Sequence, residues 1–90
     1  MNKKLYEQAI QFWGKNFQIV VAVEECGELI HALTKYLRNG PIGRFDVAEE
    51  IADVEIMLEQ LKVIFGERDV EYWKKEKLSR LKEMLKEEQK

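Results

Sequence analysis

Two short acidic segments carry the residues best suited to chemistry. Glu24-Glu25-Cys26-Gly27-Glu28 sets Glu25 and Glu28 three residues apart, and Glu49-Glu50-Ile51-Ala52-Asp53 does the same for Glu50 and Asp53. On a helix, residues at i and i+3 are surface neighbours, so each segment offers a carboxylate pair on one face. If the two helices lie antiparallel, the four carboxylates converge. Convergence without a cation is unfavourable, because close carboxylates repel by several times the thermal energy in a partly shielded site. A bound divalent ion removes that repulsion. All-oxygen donors suit a hard ion, so Mg2+, with Mn2+ as a substitute, is favoured over zinc. Mg2+ keeps few protein carboxylates and completes its shell with water and phosphate oxygens, which points to phosphate chemistry.

The elements that must position these residues are helical. The only β-branched cluster, Ile19 to Val23, lacks alternation and runs into Glu24-Glu25. Helical periodicity elsewhere predicts four helices: Lys3 to Trp13, Lys15 or Asn16 to Arg38, Asp46 to Phe65, and Glu67 to Glu87. Gly14, Asn39-Gly40-Pro41 and Gly66 supply the breaks. Asp46 reads as an N-cap with Glu49 completing a capping-box pair.

Unrolled at about 100° per residue, the third helix has an apolar arc of Val47, Ile51, Val54, Met57, Leu58, Leu61, Ile64 and Phe65. Glu50 falls inside this arc and Asp53 on its border, whereas Glu55 and Glu59 fall opposite. The second helix has a core arc of Ile19, Ala22, Val23, Cys26, Leu29, Ile30, Leu33, Tyr36 and Leu37, with Glu25 on its edge and Glu28 beside it. Cys26 reads as a small buried hydrophobe. Val20, Val21, Ile56 and Val63 lie off the arcs and form a second apolar surface for another subunit. On the fourth helix, Lys77 interrupts the stripe of Val70, Trp73, Leu81, Met84 and Leu85, with Arg80 at its edge. A lysine on a core face requires a partner, and an acidic site or its bound phosphates would provide one.

Ninety residues make one domain, 1–90, with a small core, and oligomerisation is a common remedy for that. Apolar residues at 46% and charged residues at 36% suit amphipathic helices and exclude a disordered tail. A net charge of −2 does not advertise a nucleic-acid surface, so no nucleic-acid polymer is expected as partner. The single cysteine excludes an intrachain disulfide and fits a cytoplasmic location. Glu7 and Gln8 interrupt the N-terminal segment, so no signal peptide is expected, and Ile19 to Val23 is too short to span a membrane.

The paired motif Glu24-Glu25-x-x-Glu28 … Glu50-x-x-Asp53 resembles the E-E-x-x-E … E-x-x-D signature of the MazG-like all-α nucleoside triphosphate pyrophosphohydrolases. The resemblance covers about Trp13 to Arg80. It implies a four-helix bundle that assembles as a homo-oligomer, dimer or tetramer. It also implies Mg2+-dependent hydrolysis of a nucleoside triphosphate, a deoxynucleotide foremost, to the monophosphate and pyrophosphate, a house-cleaning of the nucleotide pool. Carried over by position, Glu25, Glu28, Glu50 and Asp53 look like the metal ligands, and Lys77-Leu78-Ser79-Arg80 resembles the basic segment that contacts phosphates. Trp13-Gly14 followed by Gln18 looks like the lead-in of short members, with Gln18 near the nucleotide.

The chain is a single unit, not the tandem form, and its Asn39 to Arg44 loop is compact, so part of the substrate surface would come from another subunit. The related phosphoribosyl-ATP pyrophosphatases rank lower, because their histidine-bearing third helix is not evident. Glu24 or Glu49 would orient the attacking water, and both stay open. Lys77 and Arg80 would hold the leaving pyrophosphate, and Lys35, two turns beyond Glu28, is a further phosphate candidate. Base and sugar stay open among canonical deoxynucleotides, such as dUTP or dCTP, and damaged nucleotides. Glu28-x-x-His31 has the spacing of di-iron bundles, but Glu50-x-x-Asp53 does not supply the second such motif. His31 then reads as a surface residue or one beside the ligands. The alternative to an enzyme is a helical interaction or regulatory module that keeps the fold without turnover.

Overall fold

A glycine flanks every long helix on at least one side. The computed structural model describes residues 2–89, the side chains of Ile42 and Phe45 excepted. Helix α1 spans Lys3–Trp13, α2 Lys15–Asn39, α3 Arg44–Phe65 and α4 Glu67–Glu88, and Gly40–Gly43 forms one 3-10 turn between α2 and α3. Among the described residues there is no strand. Gly40 (φ 79°) and Gly66 (φ 118°) adopt a backbone that L side chains disfavour, so the chain turns there at little steric cost. The backbone N–H of Gly66 still donates to the Lys62 carbonyl at 2.9 Å, which closes the last turn of α3 before the chain leaves it.

One expectation needs correction at the α2–α3 connection. Asp46 is not the N-cap of α3. The helix begins two residues earlier, at Arg44, directly from the 3-10 turn, and Asp46 lies in its first turn without a side-chain cap bond at its start. An acidic side chain there still complements the helix dipole.

Helices α2 and α3 form the core of the molecule as an antiparallel pair. Gln18, Ala22 and Ala32 are buried on α2, and Val54, Met57 and Gln60 on α3. Positions 18, 22, 25, 28 and 32 advance in steps of three and four, the repeat of a knobs-into-holes seam. The small side chains of Ala22 and Ala32 allow the helix axes to approach. Helix α1 packs across α2 and α3.

Helix α4 departs from a closed bundle. Its backbone approaches that of α3 alone among the described elements. Lys62, on α3, holds its start by pairing with both Glu59 and Glu71 at 3.1 Å, and Lys3 of α1 reaches Glu67 at 3.7 Å. The hydrogen bonds between Lys62 and Glu71 raise the ammonium pKa and lower the carboxyl pKa. Beyond those turns the apolar stripe is open: Trp73, Leu81, Met84 and Leu85 are all exposed.

The sequence-derived core is accordingly only partly covered. Val23, Ile30, Leu33, Leu37, Ile51, Leu58 and Phe65 are exposed, and so is Cys26, contrary to its reading as a buried hydrophobe. The helical wheel finds an apolar face, but one chain has too little mass to cover it. The radius of gyration is 16.3 Å, against roughly 12 Å for a compact domain of this length. The accessible surface is 7849 Å², against roughly 5,500 Å² for a compact monomer of this mass. No helix among the described residues is long and apolar enough to cross a membrane.

Candidate metal centre

The seam between α2 and α3 brings the acidic pairs together. Ligand oxygens of Glu25, Glu28 and Glu50 lie within 4.8 Å of one another, and so do those of Glu49, Glu50 and Asp53. Glu50 belongs to both groups and joins them. The facing partners follow one register. Gln18 bonds Gln60, Glu25 is placed to hydrogen-bond Asp53, and Glu50 is placed to hydrogen-bond Glu28, so the two numbers of each pair add to 78.

The electrostatics are those of crowded carboxylates. Burial raises the pKa of Glu25 first, followed by the charges of Glu28 and Asp53, the hydrogen bond with Asp53 and the charge of Glu24. Glu50 is raised by burial and then by Glu28, Asp53 and Glu25. Both residues are only half-buried overall, but Oε2 of each is fully covered and has no hydrogen-bond partner. A covered anionic oxygen without a donor is costly unless the group is protonated or a cation takes it up. The donor set is entirely oxygen, so these residues fit a hard divalent ion and not a thiolate- or imidazole-bound metal.

A cleft of about 330 Å³ adjoins the centre, lined by Glu28, His31, Ala32, Lys35, Asp46 and Glu50. It places Lys35 beside the carboxylates, as its spacing from Glu28 implies. His31 and Asp46 line the same cleft, each one helical turn from a carboxylate of the centre, Glu28 and Glu50 respectively. Ala32 leaves the space between them open.

Other candidates lie elsewhere. Glu49 joins Glu50 and Asp53, whereas Glu24 acts on Glu25 from outside both groups. Gln18 does not face an open nucleotide surface. It is buried, and its Nε2 donates to Oε1 of Gln60 at 2.6 Å. Lys77 and Arg80 are exposed on α4, and Lys77 lines a groove with Phe65, Val70 and Trp73. That groove also holds Asp69, and Lys77 does not line the cleft beside the four carboxylates. A larger groove of about 780 Å³ runs between α1, α3 and α4, lined by Tyr6, Leu58, Leu61, Phe65 and Val70. Its walls are mostly apolar, and its Lys62 is engaged by Glu59 and Glu71, so it offers a packing surface and no converging chemistry.

Comparison with protein-family models, curated proteins and solved structures gives no match. The family resemblance therefore rests on the motif residues themselves.

Proposed function

We propose that this chain is a Mg2+-dependent nucleoside triphosphate pyrophosphohydrolase that works as a homo-oligomer. The observation that carries the proposal is the meeting of Glu25, Glu28 and Glu50 within 4.8 Å, with two covered carboxylate oxygens that lack donors. Glu25, Glu28, Glu50 and Asp53 would hold the ion. When bound, it supplies positive charge that offsets the triphosphate and the charge developed during transfer.

The chain's own residues divide the remaining work. Glu49 is exposed and grouped with Glu50 and Asp53, which favours its carboxylate over that of Glu24 as the one that would orient a water and accept its proton. The water oxygen bonds to the α phosphorus, the bond from that phosphorus to the bridging oxygen breaks, and pyrophosphate leaves. Lys35 and His31 border the cleft where phosphate oxygens would lie, and Lys35 contributes charge there.

Surface and charge support the oligomeric reading. One chain exposes roughly 2,300 Å² more than a compact monomer of its mass, and obligate dimers bury about 2,000–5,000 Å² in total. Helix α3 carries Asp46, Glu49, Glu50, Asp53, Glu55 and Glu59 against Arg44 and Lys62. Residues 74–82 of α4 carry Lys74, Lys75, Lys77, Arg80 and Lys82 against Glu76. A second copy that covers the apolar stripes would set this basic segment against the acidic face, with Lys77 and Arg80 near the leaving phosphates.

The exposed apolar stripes also favour a second reading, a helical interaction module without turnover. Pyrophosphate release from a panel of ribo- and deoxynucleoside triphosphates, with Mg2+ or chelator and with Glu50→Ala as control, separates the two. Turnover that needs both Mg2+ and Glu50 establishes the enzyme. No turnover together with no Mg2+-dependent stabilisation favours the module, and no turnover with stabilisation points to a substrate outside the panel.

A further inference from the structure

We propose that Gln18 and Gln60 are positioning residues whose buried amide bond pins the α2–α3 register and so holds the four carboxylates together. The inference rests on the reading of those carboxylates as the functional centre. Both glutamines are only 5% exposed, and the bond between them is 2.6 Å long. Gln60 is held in turn by a contact from its Nε2 to Sδ of Met57 at 3.7 Å.

The apolar contacts of the seam select this register less sharply than a directional bond does. Ala22, Ala32, Val54 and Met57 make non-directional contacts, which several offsets satisfy comparably. The facing carboxylates repel and oppose the register in which they are found. The Gly40–Gly43 turn restrains one end of the hairpin, and the glutamines stand at the other, with the acidic pairs between. Glu25 lies seven residues from Gln18 and Asp53 seven from Gln60, about 10 Å along each helix. Helix α1 also packs across α2 and α3, so loss of the amide clasp loosens that end without freeing it, and the carboxylates spread. Buried polar pairs have this role in coiled coils, where a single asparagine fixes register although an apolar residue would be as stable or more so.

The test replaces both glutamines with a near-isosteric apolar residue, Gln18→Met with Gln60→Met, beside each single substitution. Spin labels on Cys26 and on a Glu55→Cys substitution, diluted with unlabelled chain, report the α2–α3 distance without metal. Mn2+ binding is titrated on unlabelled protein. We expect the double variant to melt no lower than the parent, yet to give a broadened distance distribution and about tenfold weaker Mn2+ binding. Each single variant should broaden the distribution as well, which decides the matter even if the double variant does not fold. A distribution as narrow as the parent's in every folded variant would overturn the proposal. So would broadening that tracked a lower melting temperature and vanished well below it. If the parent bound no Mn2+ while the variants still broadened, the register role would stand and the metal reading would fail.

Discussion

Glu25 on α2 faces Asp53 on α3, and after burial and the charge of Glu28, the charge and hydrogen bond of Asp53 push the Glu25 carboxyl up. The same relation joins Glu28 and Glu50 one turn further along. Metal-free, this centre carries its repulsion as raised pKa values; loaded, it would exchange protons for a cation.

The pH dependence of stability follows from that exchange. Glu25 and Glu50 have folded pKa values above the ordinary glutamate range. Their contribution is thus fully present below that range and is lost as pH rises through the raised values. Glu71 is shifted the other way by Lys62, so its contribution is present above the ordinary range and lost as pH falls through its lowered value. In chelator, the melting temperature should therefore fall as pH rises above the ordinary glutamate range. Glu50→Gln should flatten that fall, and Mg2+ should reverse it. A calorimetric pH series with and without chelator checks all three outcomes.

Metal binding should stabilise the fold by mass action. At 100 times its Kd, a ligand specific to the folded state adds about 2.7 kcal/mol, or roughly 10–20 °C in a domain of this size. Glu50→Ala should abolish the shift, because Glu50 belongs to both carboxylate groups. Differential scanning fluorimetry with Mg2+, Mn2+ and chelator reads it directly.

The small residues of the seam should be intolerant of volume. Ala22 is 3% exposed between the two helices. Ala22→Leu should cost about 1–3 kcal/mol through overpacking and should weaken Mn2+ binding by separating the facing pairs. Cys26→Ser, at an exposed site on the same helix, should change stability by less than about 0.5 kcal/mol. Denaturant titrations of the two variants test the contrast.

Assembly should depend on α4. Sedimentation equilibrium should give at least twice the chain mass of 10.7 kDa, and Leu81→Asp, on the open stripe, should shift the protein toward monomer. If α4 of one copy serves the carboxylates of another, Lys77→Ala and Glu50→Ala should each be inactive as pure proteins. Refolded together in equal amounts as dimers, they should regain about a quarter of the parent activity, because half the dimers then hold one intact site. No recovery would place both residues in one chain's site.

Local rules made much of this molecule legible. Glycines at 14, 40 and 66 end helices because the chain turns most cheaply there, and all four helices were expected close to their observed limits. Glu50 stood out because a carboxylate on an apolar arc breaks the amphipathic pattern. Other features depend on what lies across the seam or beside the chain. The start of α3 shifted because the 3-10 turn passes directly into helix, which no local cap signal reveals. Gln18 on its own is merely a polar residue among apolar ones; only the antiparallel register supplies Gln60, 42 residues away, as its partner. The wheel of α4 marks Lys77 as out of place, but the angle at Gly66 decides that its own chain does not bring it to the carboxylates. Periodicity, in short, reports which face of a helix avoids water, whereas the packing of whole helices determines what covers that face and which side chains meet.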